Sequence, residues 1–168
     1  MKIAITINNK EYEVEIKDED VKKIEQASKK VKLRPDLGDY YWIIVMDNAE
    51  IDEYPWDNDD IDNNNWDSGN GFFAKEEAEK ELAKRQAIQR VKDYIIENGL
   101  EFTPDWGDFE EQKYSIWYDH AIKELNYDLS WFCQHERSFY FKSKKDALQV
   151  IKACSSDLKI IYGVKEEK

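Results

Sequence analysis

Two stretches of the chain leave a β-prone segment and enter a helix in the same way, and this repeat constrains the fold more than any other feature. Phe72-Phe73-Ala74-Lys75-Glu76-Glu77-Ala78 aligns with Phe141-Lys142-Ser143-Lys144-Lys145-Asp146-Ala147. Upstream of the first copy, Tyr40 to Met46 is an apolar, β-branched and aromatic run, and a second strand is expected near Glu50 to Tyr54. Upstream of the second, strands are expected at Lys113 to Asp119, Leu129 to Cys133 and Ser138 to Phe141. Downstream of the first copy, Ala78, Leu82, Ile88, Val91 and Ile95 recur at helical spacing until Asn98-Gly99, a good C-terminal stop. Downstream of the second, Ala147, Val150, Ile151 and Cys154 do the same. Ser143, with Asp146 three residues on, makes a capping arrangement; Ala74 holds the matching position and cannot accept that bond.

The beginning of the chain follows another plan. Ile3, Ile5 and Ile7 alternate with polar residues, Asn8-Asn9-Lys10 turns, and Tyr12, Val14 and Ile16 alternate again, which predicts a hairpin. Asp18 then caps an expected helix reaching about Lys32. The expected class is therefore α+β. An N-terminal β-hairpin plus helix (1–33) and a linker (34–39) precede a duplicated ββα domain (40–168). Its two related strand–strand–helix units, with antiparallel sheet, span about 40–99 and 113–164.

Aromatic residues make up 14% of the chain, far too many for disorder, so these units should build a core. The formal charge is -12, and its location is informative. Between Asp47 and Asp67 lie nine acids and no Lys or Arg, which leaves 28 acids against 25 bases elsewhere. Those acids are interleaved with Tyr54, Trp56, Ile61 and Trp66, unlike a solubilising tail, which is terminal and poor in aromatics. The acidic balance argues against direct binding of nucleic acid or an anionic membrane and favours a basic partner. No apolar run approaches the length needed to span a bilayer, and Met1-Lys2-Ile3-Ala4 does not open a signal peptide. A soluble, cytoplasmic protein with free thiols is expected.

Chemistry finds little support. The Asp57, Asp59, Asp60 and Asp62 cluster lacks the Gly at position six and the Glu at position twelve of an EF-hand loop. Cys133, Cys154, His120 and His135 have no zinc-ligand spacing. Cys133 with His135 has the residue types of a nucleophile–base pair, but its aromatic neighbours suggest a strand end at a turn. Phosphate-cradling and dinucleotide fingerprints are absent, as is a nucleophile elbow. The expectation is no enzyme, no cofactor and no metal. Trp42 and Trp117, on strands, are expected in the core. Trp56, Trp66 and Trp106, in loops, either pin those loops or serve as contact anchors.

The run Trp66-Asp67-Ser68-Gly69-Asn70-Gly71-Phe72-Phe73-Ala74-Lys75-Glu76-Glu77-Ala78-Glu79 resembles a pattern recurrent in small acidic phage and prophage accessory proteins of Gram-positive bacteria. Tyr140-Phe141-Lys142-Ser143 to Tyr162-Gly163-Val164 is similar to the same group, although Ala74 departs from its usual Thr or Ser. That resemblance implies an accessory phage role in the host cell, among them anti-CRISPR and other anti-defence inhibition. On this reading Glu50, Asp52, Glu53, Asp57, Asp59, Asp60 and Asp62 meet a basic host protein such as a CRISPR effector nuclease, with Trp56 and Trp66 as anchors. A different class remains open, a phage scaffold or assembly protein that binds a protein partner through aromatic surfaces.

Overall fold

The computed structural model describes residues 2–7, 10–15, 17, 19, 32–130 and 139–164. Strands β1 (Lys2–Ile7) and β2 (Lys10–Glu15) pair antiparallel from Lys2 opposite Glu15 to Ile7 opposite Lys10, so the alternating hairpin forms. The helix expected after Asp18, and the Cys133–His135 pair, lie outside the described residues.

The duplicated plan is visible in the two larger sheets. In the first unit, β3 (Tyr40–Val45) pairs with β4 (Glu50–Pro55) on one side and β5 (Gly71–Phe72) on the other, both antiparallel. In the second, β6 (Lys113–Asp119) lies likewise between β7 (Glu124–Ser130) and β8 (Tyr140–Phe141). Each unit is thus strand–strand–strand–helix, with a third strand of two residues. The second strand of the later unit starts at Glu124 rather than Leu129, because a four-residue turn closes the hairpin early. Asp119 Oδ1 accepts from Ala121 N at 2.8 Å, and Lys123 takes the left-handed conformation (φ 58°). The first hairpin turns the same way, with Ala49 at φ 56°. At neither left-handed position does the sequence place the Gly or Asn that signals such backbone: Ala49 follows Asn48, and Lys123 follows Ile122.

Helix α1 (Asp60–Asp67) joins β4 to β5, and α2 (Lys75–Glu97) follows β5. After β8 come α3 (Lys144–Ala153) and α4 (Ser155–Ile161). The expected single helix is kinked at Cys154, beside the Ser155-Ser156 pair, a common kink site. Hydrogen bonding continues across the kink, from Cys154 N to Val150 O and from Leu158 N to Cys154 O. Gly99 (φ 62°) ends α2 as the sequence predicts, its N–H donating to Ile96 O.

Alternation gives each sheet two faces. Trp42 and Ile44 in the first unit, and Tyr114 and Ile116 in the second, share one face of their central strands. Tyr41 and Lys113 lie on the other. The main core joins Ile116 and Phe141 to Ala147, Val150, Leu158 and Ile161, and α2 contributes Ala87 and Val91. Arg90 of α2 adds an ion pair to Asp157 of α4 at 2.6 Å. The C-terminal half of α2 therefore packs on the second unit. Trp42, expected in the core, is half-buried with the Lys75 ammonium 5.5 Å from its ring centroid. Trp117 is 38% exposed, against expectation: it shares the face away from the core helices with the buried Lys113 and Ser115, but stands nearer the hairpin turn, four residues from the Lys113 that residues 106–111 cover.

Candidate functional site

The acidic segment contains a helix where the sequence reading placed a loop. Asp59 caps α1, its Oδ1 accepting from Asp62 N at 2.8 Å, and Asp60 and Asp62 favour the positive end of the helix dipole. Gly69 (φ 72°) terminates it, with Gly69 N bonded to Trp66 O and Asn70 N to Asn65 O. The signal was present in Asp59-x-x-Asp62 with Gly69 downstream, the same pattern recognised at Ser143 and Asp146. Three consecutive Asn residues, poor helix formers, hid it.

One side of α1 is built into the scaffold. Asp62 is 5% exposed; its Oδ1 accepts the Tyr41 hydroxyl at 2.8 Å and its Oδ2 accepts Asp57 N at 2.7 Å. Burial, and with it the hydrogen bond to the Asp62 carboxylate, pushes the Tyr41 phenol up to about 12. Trp56, 3% exposed, lies edge-on to Tyr41 (5.4 Å) and to Trp66 (5.7 Å), and Trp66 meets Phe73 at 4.8 Å. Gly71 is needed beneath this cluster, since a Cβ there would sit 2.5 Å from Trp66 Cε3. The far end is fastened by Asn70, whose Nδ2 donates to Ile44 O while its Oδ1 accepts from Arg85 Nη1.

These facts divide the predicted contact residues. Asp62 and Trp56 are buried and present no side-chain surface to a partner; Trp66, half-buried, belongs to the same packed cluster. The two tryptophans pin the segment rather than stand out from it. Glu50, Asp52, Glu53, Asp57, Asp59 and Asp60 are exposed, as are Asp47 and Asp67. Glu50, Asp52 and Glu53 stand on β4, which among the described residues is an edge strand. Asp57, Asp59, Asp60 and Asp67 frame α1, whose outward side also carries Ile61, 69% exposed. Sequence reasoning missed Ile61 as a surface apolar group, because helical spacing had not been assigned there.

Comparison with protein-family models, with curated proteins and with solved structures found no match. The site must be read from its own chemistry.

That chemistry is a concentration of exposed negative charge on a pinned backbone. Among the described residues Asp67, held by Arg34, is the one member of the segment in an ion pair. Among the same residues no group of three or more His, Cys, Asp and Glu is arranged to hold a metal ion, and no helix is long and apolar enough to cross a membrane. Cys154 is buried, as its place on an apolar helix face predicts, and burial pushes its thiol up. An open groove of about 670 Å³ runs between α2 and the chain after α4, past Phe72, Lys80, Lys84, Ile160, Tyr162 and Val164. Among the described residues every buried side-chain nitrogen and oxygen is already paired, so this groove has no orphaned polar group to select a ligand.

Proposed function

We propose that the chain is a non-catalytic binding protein whose acidic surface engages the basic, nucleic-acid-binding surface of another protein, as a phage anti-defence inhibitor of the anti-CRISPR type would. One observation carries this reading: eight of the nine acids between Asp47 and Asp67 are exposed, on β4, α1 and the turns beside them, and the connection into α1 is pinned by a buried aromatic cluster. A surface that binds DNA collects Lys and Arg against phosphates, and a preorganised carboxylate array competes for the same cations. Steering by the field of such an array speeds encounter and is weakened by salt.

The contact set is Glu50, Asp52, Glu53, Asp57, Asp59 and Asp60, with Ile61 in place of the tryptophans as the apolar element. Neutralising Asp52, Glu53, Asp57 and Asp60 together (D52N/E53Q/D57N/D60N) spares the Asp59 cap and the Tyr41–Asp62 bond. This variant is expected to lose capture of its partner from a cell lysate at low salt by roughly tenfold or more. Proteins eluted by salt from the wild type should be nucleic-acid-binding. Capture that survives the four changes, or resists high salt, sinks the reading. Salt-resistant capture favours the assembly-protein alternative, for which the exposed Trp117 supplies an aromatic surface.

A further inference from the structure

The acidic surface already holds one cation, and it comes from the chain itself. The segment from Lys32 to Asp39 leads into β3. It is fixed at its later end by Gly38 N donating to Trp56 O at 2.9 Å and by Trp56 N donating to Asp39 O at 2.7 Å. At its earlier end Arg34 reaches α1: Nη1 donates to Asn63 Oδ1 at 2.5 Å, and Nη2 pairs with Asp67 Oδ1. Asn63 and Asp67 stand one helical turn apart, so two arms of one planar guanidinium meet acceptors on neighbouring turns. Asn63 is itself oriented, its Nδ2 donating to Asp59 O at 2.7 Å, which leaves Oδ1 turned to the guanidinium. Both partners in the ion pair remain open to water, with side-chain exposures of 43% for Arg34 and 64% for Asp67, so an outside guanidinium can exchange with it.

We propose that Asn63 and Asp67 form a guanidinium site, and that Arg34 occupies it in cis as an autoinhibitory strap which an arginine of the partner must displace. This rests on the acidic-surface reading above and specifies its ligand as arginine. Lysine, a point charge, does not match two acceptors one turn apart. Exposed pairs of this kind are weak, so the strap lowers affinity for an arginine-bearing partner by about threefold rather than abolishing binding.

The test is titration of a labelled nona-arginine peptide at low salt with the full chain and three variants. R34A frees the site; R34K frees it without changing net charge; R90A removes a comparable exposed arginine paired to Asp157, far along the sequence. The expected result is about threefold tighter binding for R34A, about twofold for R34K, and a smaller gain for R90A. A gain for R34A no larger than that for R90A, or none for R34K, overturns the strap while leaving the acidic surface standing. Absence of peptide binding by every form overturns both.

Discussion

The two units solve one packing problem with different chemistry. At equivalent positions of their central strands, on the sheet face away from the core helices, stand Tyr41 and Lys113, each essentially inaccessible to water. A polar tip buried there must find a partner or cost a large part of its desolvation. In the first unit the tip is a hydroxyl; α1 supplies the Asp62 carboxylate, and the connection after β4 supplies the Trp56 ring. In the second it is an ammonium, which donates to the carbonyls of Asp108 at 2.8 Å and Glu111 at 3.0 Å, with the Trp106 ring centroid 5.6 Å away. Trp106 also lies edge-on to Tyr140, so all three loop tryptophans are pins. The difference teaches how to weigh the acidic segment. Two of its nine acids are structural: Asp62 answers the needs of Tyr41, and Asp59 caps α1 as Ser143 caps α3. The other seven meet no buried polar group.

The largest expected effect separates the units by core depth. Phe141 and Phe72 hold the same place in the repeat, opposite Tyr114 and Trp42, but Phe141 is fully buried and Phe72 only partly. Phe141→Ala should cost about 3–5 kcal/mol in urea unfolding, and Phe72→Ala about half as much or less. Equal losses would show that the first sheet is as tightly packed as the second.

A smaller effect comes at high pH, with one tyrosine on each side of the comparison. The Tyr41 and Tyr162 phenols are both pushed up to about 12, chiefly by burial, and Tyr162 donates to Ile116 O. An unfolded tyrosine titrates near about 10, so folding favours the neutral phenol. The corresponding stability is complete below about pH 10 and is lost as pH rises toward about 12, on the order of 2 kcal/mol per residue. Tyrosinate absorbance should show two late groups, with Tyr41→Phe and Tyr162→Phe each removing one. If either variant leaves both late groups in place, that phenol has been wrongly assigned.

The smallest effect is at the helix caps. Ala74 and Ser143 have nearly the same extended backbone, but only Ser143 accepts a bond, from Asp146 N at 3.2 Å. Ala74→Ser, with Glu77 three residues on, should stabilise by about 0.5–1 kcal/mol, and Ser143→Ala should destabilise by about 1 kcal/mol. Thermal unfolding of both would show whether the caps are interchangeable. A loss from Ala74→Ser would mean that the two junctions differ beyond the cap.

The sequence by itself determined the α+β class, the rough order of the main strands and helices, the equivalence of the two junctions, the stop at Gly99 and the missing cap at Ala74. Each follows from contacts within a few residues, where spacing and residue type are sufficient. It also located the excess charge. The tertiary structure alone decided which charges and rings face water. Asp62 is internal because a hydroxyl from 21 residues away reaches it. Trp117 is 38% exposed although Lys113 and Ser115 on the same face are buried, because alternation defines two faces without saying how far along each will be covered. Strand β5 exists because Trp42 and Ile43, far back in the chain, offer its two residues an edge. Such outcomes depend on partners brought together by folding, and no local pattern encodes them. The acidic segment was legible as charge; only the fold showed that it is a pinned helix and an edge strand with one acid turned inward.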